Sequence, residues 1–299
     1  KITHGNSDNL LTAAVLASRA PLLICPTMDG EMMNAPATAH NLELLKSRGF
    51  HLLEPEEGYL ASGLRGKGRL PEPDDIVAHI ETLLDAKKGP LYGKKVVVTA
   101  GPTREHIDPV RFISNPSSGK MGLAMAKAAH RLGGQVHLVH GPISLSIPEG
   151  IHCYSVVSAQ DMFEQVKALH PADLFIKAAA VSDFRPITQH DHKVKKTQGE
   201  SHISLASTPD ILQWIGNHKP PHTISIGFAM ETTDLLEQAR AKRTKKNADW
   251  IVANYIGTQQ QGFASDYNKV TLVGDGVEES FEGPKDDLAM SLLRSIFLS

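Results

Sequence analysis

Residues 114–122 read SNPSSGKMG, and Gly119-Lys120 stands where a nucleotide-binding loop would carry that pair. The Walker A pattern needs a glycine five residues before this one and Ser or Thr after the lysine. The chain has Ser114 and Met121 there, so a P-loop of that class is excluded. What remains is a helix start preceded by Ser117, Ser118 and Gly119, which offers backbone N–H groups and hydroxyls to an anion. Taken alone, SSGK reads better as a serine N-cap followed by an exposed lysine. The connection that carries it runs over 101–122, long for a strand-to-helix link, and holds Arg104, Glu105, Asp108, Arg111 and Asn115. Long connections inside compact domains are usually functional, and the two arginines favour a binding loop.

Lysines recur elsewhere. DFRPITQHDHKVKK (183–196) carries Asp183, then Lys193, Lys195 and Lys196. Lysine-bearing loops close over nucleotide phosphates because a flexible ammonium can follow developing charge; a solvated basic stretch is the plainer account. ARAKRTKKN (239–247) has the same ambiguity on a helix, and there the solvated face is favoured. His190 and His192 flank a single residue among lysines, a poor metal pair.

These residues need a scaffold. PLLICPTM (21–28) and HLLEP (51–55) read as strands around a helix at 36–49 that Gly49 ends, and a helix follows at 73–88, with acids in its first turn and lysines in its last. GPLYGKK is the best linker. The pattern then restarts: strands at 95–101, 135–142, 173–184, 223–231, 250–256 and 269–274 alternate with helices at 119–134, 158–170, 207–218, 233–247 and 285–298. Ser158 and Asp161 form a capping-box pattern, and Thr208-Pro209 is read as opening the 207–218 helix. The alternation predicts an α/β fold with a doubly wound, mostly parallel, Rossmann-like sheet. Such sheets bind ligands beyond the C-terminal ends of their strands, which selects TAGPTRE, AAAVSDF, GFAMET and ANYIGTQQQGFASD.

Composition narrows the classes. The 299 residues are 41% hydrophobic and 21% charged, as in soluble globular proteins, and suffice for two domains. A net charge of -2 gives no electrostatic case for nucleic acid. Apolar runs are broken by Ser18, Arg19 and Pro21, so no membrane span is expected. Cys25 and Cys153 are expected as buried free thiols in a reducing cytoplasm. The start at Lys1, on a helix-like segment, reads as part of something longer. No G-x-G-x-x-G follows a strand, which disfavours a conventional NAD-binding enzyme.

VVVTAGPTREHIDPVRFISNPSSGKMG, AAAVSDFRP, KVKK, GFAMET and KNADWIVAN resemble the synthetase half of the bifunctional phosphopantothenoylcysteine synthetase/decarboxylase family of coenzyme A biosynthesis. PTMDGEMM and GYLASGLRGKGRLPEP are similar to two loops of its flavoprotein half. The resemblance implies a partial, N-terminally truncated flavodoxin-like domain over 1–88, a linker at 89–94 and a ligase domain over 95–299. It implies CTP with Mg²⁺, 4′-phosphopantothenate and L-cysteine as ligands, and FMN in an intact flavoprotein domain. It also implies homo-oligomers, with ligase domains as dimers and flavoprotein domains as trimers.

By motif position, Lys193 matches the lysine that assists acyl-cytidylate formation, Asn115 the asparagine that handles that intermediate, and Arg111 lies in the same loop. Ser117, Ser118 and Gly119 match the phosphate-facing turn; Ala179, Ala180, Asp183 and Phe228 match the nucleotide pocket, with Lys242 and Lys246 nearby and Asp183 the metal candidate. Tyr255 departs from the family's usual Asp. In the first flavoprotein loop stand Met28 and Asp29, Asp29 replacing the family's usual asparagine and Thr27 its alanine, and Ser62 stands in the substrate-clamp loop, where the family's usual cysteine acid is absent. A hydroxyl has a far higher pKa than a thiol, so the expectation is a ligase whose first 88 residues cannot decarboxylate unaided.

Overall fold

The computed structural model describes residues 1–85, 89–195, 202–231, 234–255 and 265–298. It divides into two compact units, Lys1–Asp85 and Ala86–Ser299. In the first, a helical turn (Ile2–His4) precedes α1 (Leu10–Ala17), β1 (Leu23–Ile24), α2 (Gly30–Asn34), α3 (Pro36–Ser47), β2 (His51–Leu52), β3 (Glu56–Tyr59), β4 (Arg65–Arg69) and α4 (Pro73–Asp85). β1 and β2 pair in parallel and β3 and β4 antiparallel. The expected strands at 21–28 and 51–55 shrink to two residues each, because only Leu23–Ile24 and His51–Leu52 find each other. Beyond them Met28 donates its backbone N–H to Gly68 at 3.2 Å instead. Asp74 and Asp75 stand in the first turn of α4 as expected, whereas Lys87 and Lys88 lie outside the described residues.

The second unit comprises β5 (Lys95–Ala100), β6 (Arg104–His106), β7 (Phe112–Ser114), α5 (Lys120–Arg131), β8 (Gln135–His140), β9 (His152–Ser155), α6 (Ala159–Ala168), β10 (Leu174–Lys177), β11 (Phe184–Pro186), β12 (Leu205–Ser207), α7 (Ile211–His218), β13 (Ile224–Glu231), α8 (Leu235–Lys246), β14 (Trp250–Tyr255), β15 (Tyr267–Val273), β16 (Glu278–Pro284) and α9 (Lys285–Leu298). Eight strands form one sheet in the order β16-β15-β14-β13-β10-β5-β8-β9. The six from β14 to β9 run parallel; β15 and β16 add antiparallel at one edge. From β5 the chain steps outward to β8 and β9, then returns to β10 on the other side and steps to β13 and β14. The order therefore reverses between β5 and β10, which opens a crevice above their C-terminal ends.

Burial explains why β5 is central. Its Val96, Val98 and Ala100 face one apolar layer with α5 and α9, and Val97 faces another with α6 and α7. A strand covered on both faces reads as a continuous apolar run, as VVVTA does. Gly122 lets α5 approach: a Cβ there would stand 2.5 Å from that of Ala100. Residues 89–94, read as a linker, seat the fully buried Leu91 in the α5 layer.

Three further expectations are corrected. The 101–122 connection contains a hairpin, β6 against β7, so its length is structured. α7 opens at Asp210, whose carboxylate accepts the Gln213 N–H at 2.9 Å; Thr208 bonds Ser182 instead. Both thiols are free, but Cys25 is only half-buried, and Cys153 is exposed because β9 is the last strand of the sheet and has a neighbour on one side alone. The capping box of α6 forms as expected.

Candidate active site

Above the crevice, the chain that leaves β5 and the chain that leaves β10 are stitched together. Ala180 donates its N–H to Gly101 O at 2.9 Å. Ala179 N donates to Thr99 Oγ1 at 3.2 Å, and Ser182 N to Thr103 Oγ1 at 3.0 Å. Thr208 then donates its hydroxyl to Ser182 O at 2.6 Å and its N–H to Asp183 O at 3.0 Å. Three threonines thus fix the small-residue turn 178–183, and this turn is one wall of a cleft of about 300 Å³.

The opposite wall is the start of α5. Gly119 is its N-cap with φ +78°, and it contributes no side-chain cap. A side chain there would be strained and would meet Ile143 at 2.6 Å. Ser117, Ser118 and Gly119 all line the cleft, and Ser117 Oγ accepts the Gly119 N–H at 3.3 Å. Ala179, Ala180, Asp183, Phe228, Lys242 and Asn115 line it as well. Lys242 donates to Phe228 O at 3.0 Å. Asn115 Nδ2 donates to Val181 O at 3.0 Å and to Ala180 O at 3.5 Å, bridging the two walls.

Three expected residues stand elsewhere. Lys246 pairs with Asp210 at 2.6 Å and does not line the cleft. Arg111 is held by Asp108, a buried carboxylate that also accepts N–H groups from Val110, Arg111 and Val194 at 2.9 to 3.1 Å. The Arg111 hydrogen bonds, followed by those backbone donors, keep Asp108 ionised well below the usual carboxylate range. Lys193 is exposed and sits outside the lining, one residue before Val194; Lys196 lies outside the described residues. Tyr255 ends β14, and GFAMET and ANYIGTQQQGFASD extend past the described residues.

Four polar lining residues escaped the sequence reading: Lys177, Asn254, Asn268 and Lys285. Lys177 gives a signal in hindsight, a lone lysine in the apolar run DLFIKAAAV. Its Nζ donates to Ala179 O at 3.1 Å, and burial, aided by Lys242, lowers its pKa to about 8. The cleft is lined by Lys120, Lys177, Lys242 and Lys285 against the single carboxylate of Asp183 among the described residues. Such a surface selects a multiply charged anion.

In the first unit, Asp29 accepts hydrogen bonds from the Ser62 hydroxyl and from Glu31 N, which lower its pKa in that order. The two flavoprotein-like loops therefore meet, and Met28 adjoins that contact through Gly68.

The model of the DNA/pantothenate metabolism flavoprotein C-terminal domain matches residues 91–298, and the flavoprotein model matches 1–85. Over 275 residues the chain is 47% identical to the coenzyme A biosynthesis bifunctional protein CoaBC of Bacillus subtilis, covering 91% of this chain and 68% of that one. The chain belongs to the CoaBC family. It is also 42% identical, over 99% of its length and 84% of the relative, to a cysteine/cysteine sulfinic acid decarboxylase of an unknown prokaryotic organism. The solved C-terminal domain of a CoaBC protein is 41% identical and covers 71% of this chain and 97% of its own, with a TM-score of 0.59. Both domains of the family are represented, which favours a bifunctional CoaBC reading over a ligase carrying a remnant. No helix among the described residues is long and apolar enough to cross a membrane.

Proposed function

We propose that this chain is a bifunctional enzyme of coenzyme A biosynthesis whose second unit joins 4′-phosphopantothenate to L-cysteine, with CTP as the activating nucleotide. The observation that carries the ligase reading is the lysine-lined cleft at the sheet reversal, bridged by Asn115. A carboxylate is a poor electrophile. Its oxygen must first attack the α-phosphorus of the nucleotide, forming an acyl phosphate ester bond as the bond to pyrophosphate breaks. The cysteine amine then attacks the acyl carbon, CMP leaves, and the amine gives up a proton. The first step gathers phosphate charge that preorganised lysines stabilise, and the second needs a donor at the acyl oxygen.

The residues fit those demands. Lys120, Lys177, Lys242 and Lys285 neutralise phosphate oxygens, and the α5 start presents Ser117, Ser118 and Gly119 to them. Asn115 holds its amide at the carbonyls of 180–181, where an acyl oxygen can compete for the same N–H donors. Lys193 lies outside the lining, on the segment anchored by Val194, and assists the first step in this reading by closing over the phosphates. Mg²⁺ supplies charge neutralisation to the nucleotide phosphates when bound. Asp183, the single carboxylate among the described lining residues, would hold it.

FMN-dependent decarboxylation is the activity proposed for the family's flavoprotein unit, and the meeting of the Asp29 and Ser62 loops supports it. The hollow beside α1 is lined by the apolar Ile2, Val15, Leu16, Leu22 and Phe50 together with the polar Asn6, Thr12, Ser18 and Arg48, and Arg48 donates to Thr3 O.

The ligase reading is tested by following CMP and pyrophosphate. Both should appear only with phosphopantothenate present, and CMP release should need cysteine. Asn115→Asp should let acyl-cytidylate form and stall there, and Lys193→Gln should block its formation. Unimpaired turnover in both variants would sink these roles. For the flavoprotein unit, CO₂ release from phosphopantothenoylcysteine with added FMN decides, and its absence would leave the ligase alone.

A further inference from the structure

A second hollow, of about 580 Å³, lies outside the cleft, between β6, the start of α6 and β11. Arg104 and His106 of β6, Val157 before α6, and Arg185, Ile187 and Gln189 from β11 onward line it. None of these six lines the cleft. The volume falls within the roughly 300–1,000 Å³ usual for small-molecule pockets. Arg104 is half-buried and lays its guanidinium on the Phe112 ring, 4.6 Å from the centroid. That stacking occupies its face and leaves its in-plane N–H groups to an acceptor. Arg185 donates to Pro186 O at a long 3.4 Å. Neither guanidinium has a carboxylate partner among the described residues.

The two carboxylates in the lining are engaged elsewhere. Glu105, 3% exposed, accepts the Ala159 N–H at 2.9 Å, and Asp161 accepts the Ser158 N–H at 2.9 Å. Both cap the start of α6, so that helix start is satisfied from within and is not what would attract a ligand. What remains is two forked cationic donors, and such forks match the paired oxygens of a carboxylate or phosphate. Val157 and Ile187, both exposed, give the same hollow an apolar side. Solvation accounts for either arginine taken alone. Two of them, from different segments and over one hollow with an apolar side, favour a ligand.

We propose that this hollow is a second anion site, in which Arg104 and Arg185 together hold the carboxylate or phosphate group of a small molecule whose apolar part rests on Val157 and Ile187. Its place in the chain gives it a consequence for the cleft. Arg104 follows Thr103, whose Oγ1 accepts the Ser182 N–H at 3.0 Å and whose carbonyl accepts the Ser114 hydroxyl at 2.7 Å. Arg185 stands two residues after Asp183, just past the turn that walls the cleft. A ligand held by both arginines ties β6 to β11 beside the Thr103–Ser182 hydrogen bond and steadies that wall from outside the cleft. The site does not depend on the ligase reading.

The test is calorimetric titration of the full chain with phenyl phosphate, phenylacetate, inorganic phosphate and, as an uncharged control, benzyl alcohol. The proteins are wild type, Arg104→Gln, Arg104→Lys, Arg185→Gln and the cleft variant Lys177→Met. Loss of a charged hydrogen bond predicts at least about tenfold weaker binding of the better aromatic anion in either Gln variant. Lys177→Met should bind it like wild type, and Arg104→Lys, which keeps the charge and loses the fork, should fall between. A preference for phenyl phosphate assigns the site to phosphate monoesters, and a preference for phenylacetate assigns it to carboxylates. Inorganic phosphate should bind more weakly and benzyl alcohol not at all. Hydrogen exchange at residues 179–185 should slow when that anion is added to wild type or Lys177→Met, and not in Arg185→Gln. Arg185 is exposed, so this last variant should keep the wild-type unfolding temperature. Four results would each overturn the proposal: no binding of either aromatic anion, undiminished binding in both Gln variants, binding lost only in Lys177→Met, or exchange at 179–185 that does not respond. Inorganic phosphate binding as tightly as phenyl phosphate would overturn it too. No nucleotide enters the test, so its failure and that of the ligase reading are read separately.

Discussion

Arg111 donates to the backbone carbonyl of Val194 at 2.9 Å, and Val194 returns its own N–H to the Asp108 carboxylate that holds Arg111. His190 N adds a bond to Ile107 O at 2.9 Å. The segment that bears Lys193 is thereby tied, on both sides of the lysine, to the loop that leaves β6. Arg111 acts here as a positioning residue, outside the cleft lining.

The first prediction follows from that clasp. Arg111→Gln should slow pyrophosphate release by roughly tenfold to a hundredfold, from the loss of charged hydrogen bonds of about 1.5–3 kcal/mol. Nucleotide affinity, read by titration with CMP, should stay near wild type. Hydrogen exchange at residues 190–195 should speed up, and an unchanged exchange rate there would remove the positioning role. Because Asp108 titrates below the usual carboxylate range, its contribution is present above that range. It should be lost only as pH falls further, so exchange at 190–195 should stay slow at pH 5.

If the cleft binds the proposed nucleotide, Lys177 should make that binding pH-dependent. With its pKa lowered to about 8, the charge that attracts phosphate is present below that pH and lost above it. The groups that influence it are Lys242 and Lys246 of α8, Asp210 at the α7 cap and Asp183 beyond β10. Its charged form is penalised by burial, so the penalty on folding is full below pH 8 and eases as pH rises towards the ordinary lysine value. CTP affinity should fall between pH 7 and 9.5 in wild type and stay flatter in Lys177→Arg, which keeps its charge. Identical pH profiles would exclude Lys177 from the effect.

Asp183 predicts the metal response. Chelation should abolish pyrophosphate formation, and Asp183→Asn should raise the Mg²⁺ concentration for half-maximal rate by about tenfold, the weight of one charged ligand interaction. Magnesium titration of initial rates checks this, and an unmoved midpoint would assign the metal wholly to the nucleotide.

Gly122 predicts stability. Adding a methyl group 2.5 Å from the Ala100 Cβ must push α5 off β5. Gly122→Ala should cost about 1–3 kcal/mol in denaturant unfolding of the second unit. It should also weaken nucleotide binding, because the moved helix start lines the cleft.

Local chemistry written in the chain determined the alternation of strands and helices, the α6 capping box, and the gathering of Ser117–Gly119, Ala179–Ala180, Asp183 and Phe228 into one cleft. Each of these depends on residues near in sequence, or on the rule that parallel sheets bind at their strand ends. What only the tertiary structure decided depends on partners far apart in the chain. Two-residue strands in the first unit reflect how briefly β1 and β2 run together, and the exposure of Cys153 reflects an edge with one neighbour. Lys120 and Lys285 are 165 positions apart, by their numbers, and meet because α5 and α9 cover the same face of the sheet. SNPSSGKMG showed a lysine at a helix start; only the fold brought Lys285, the first residue of α9, to line the same cleft.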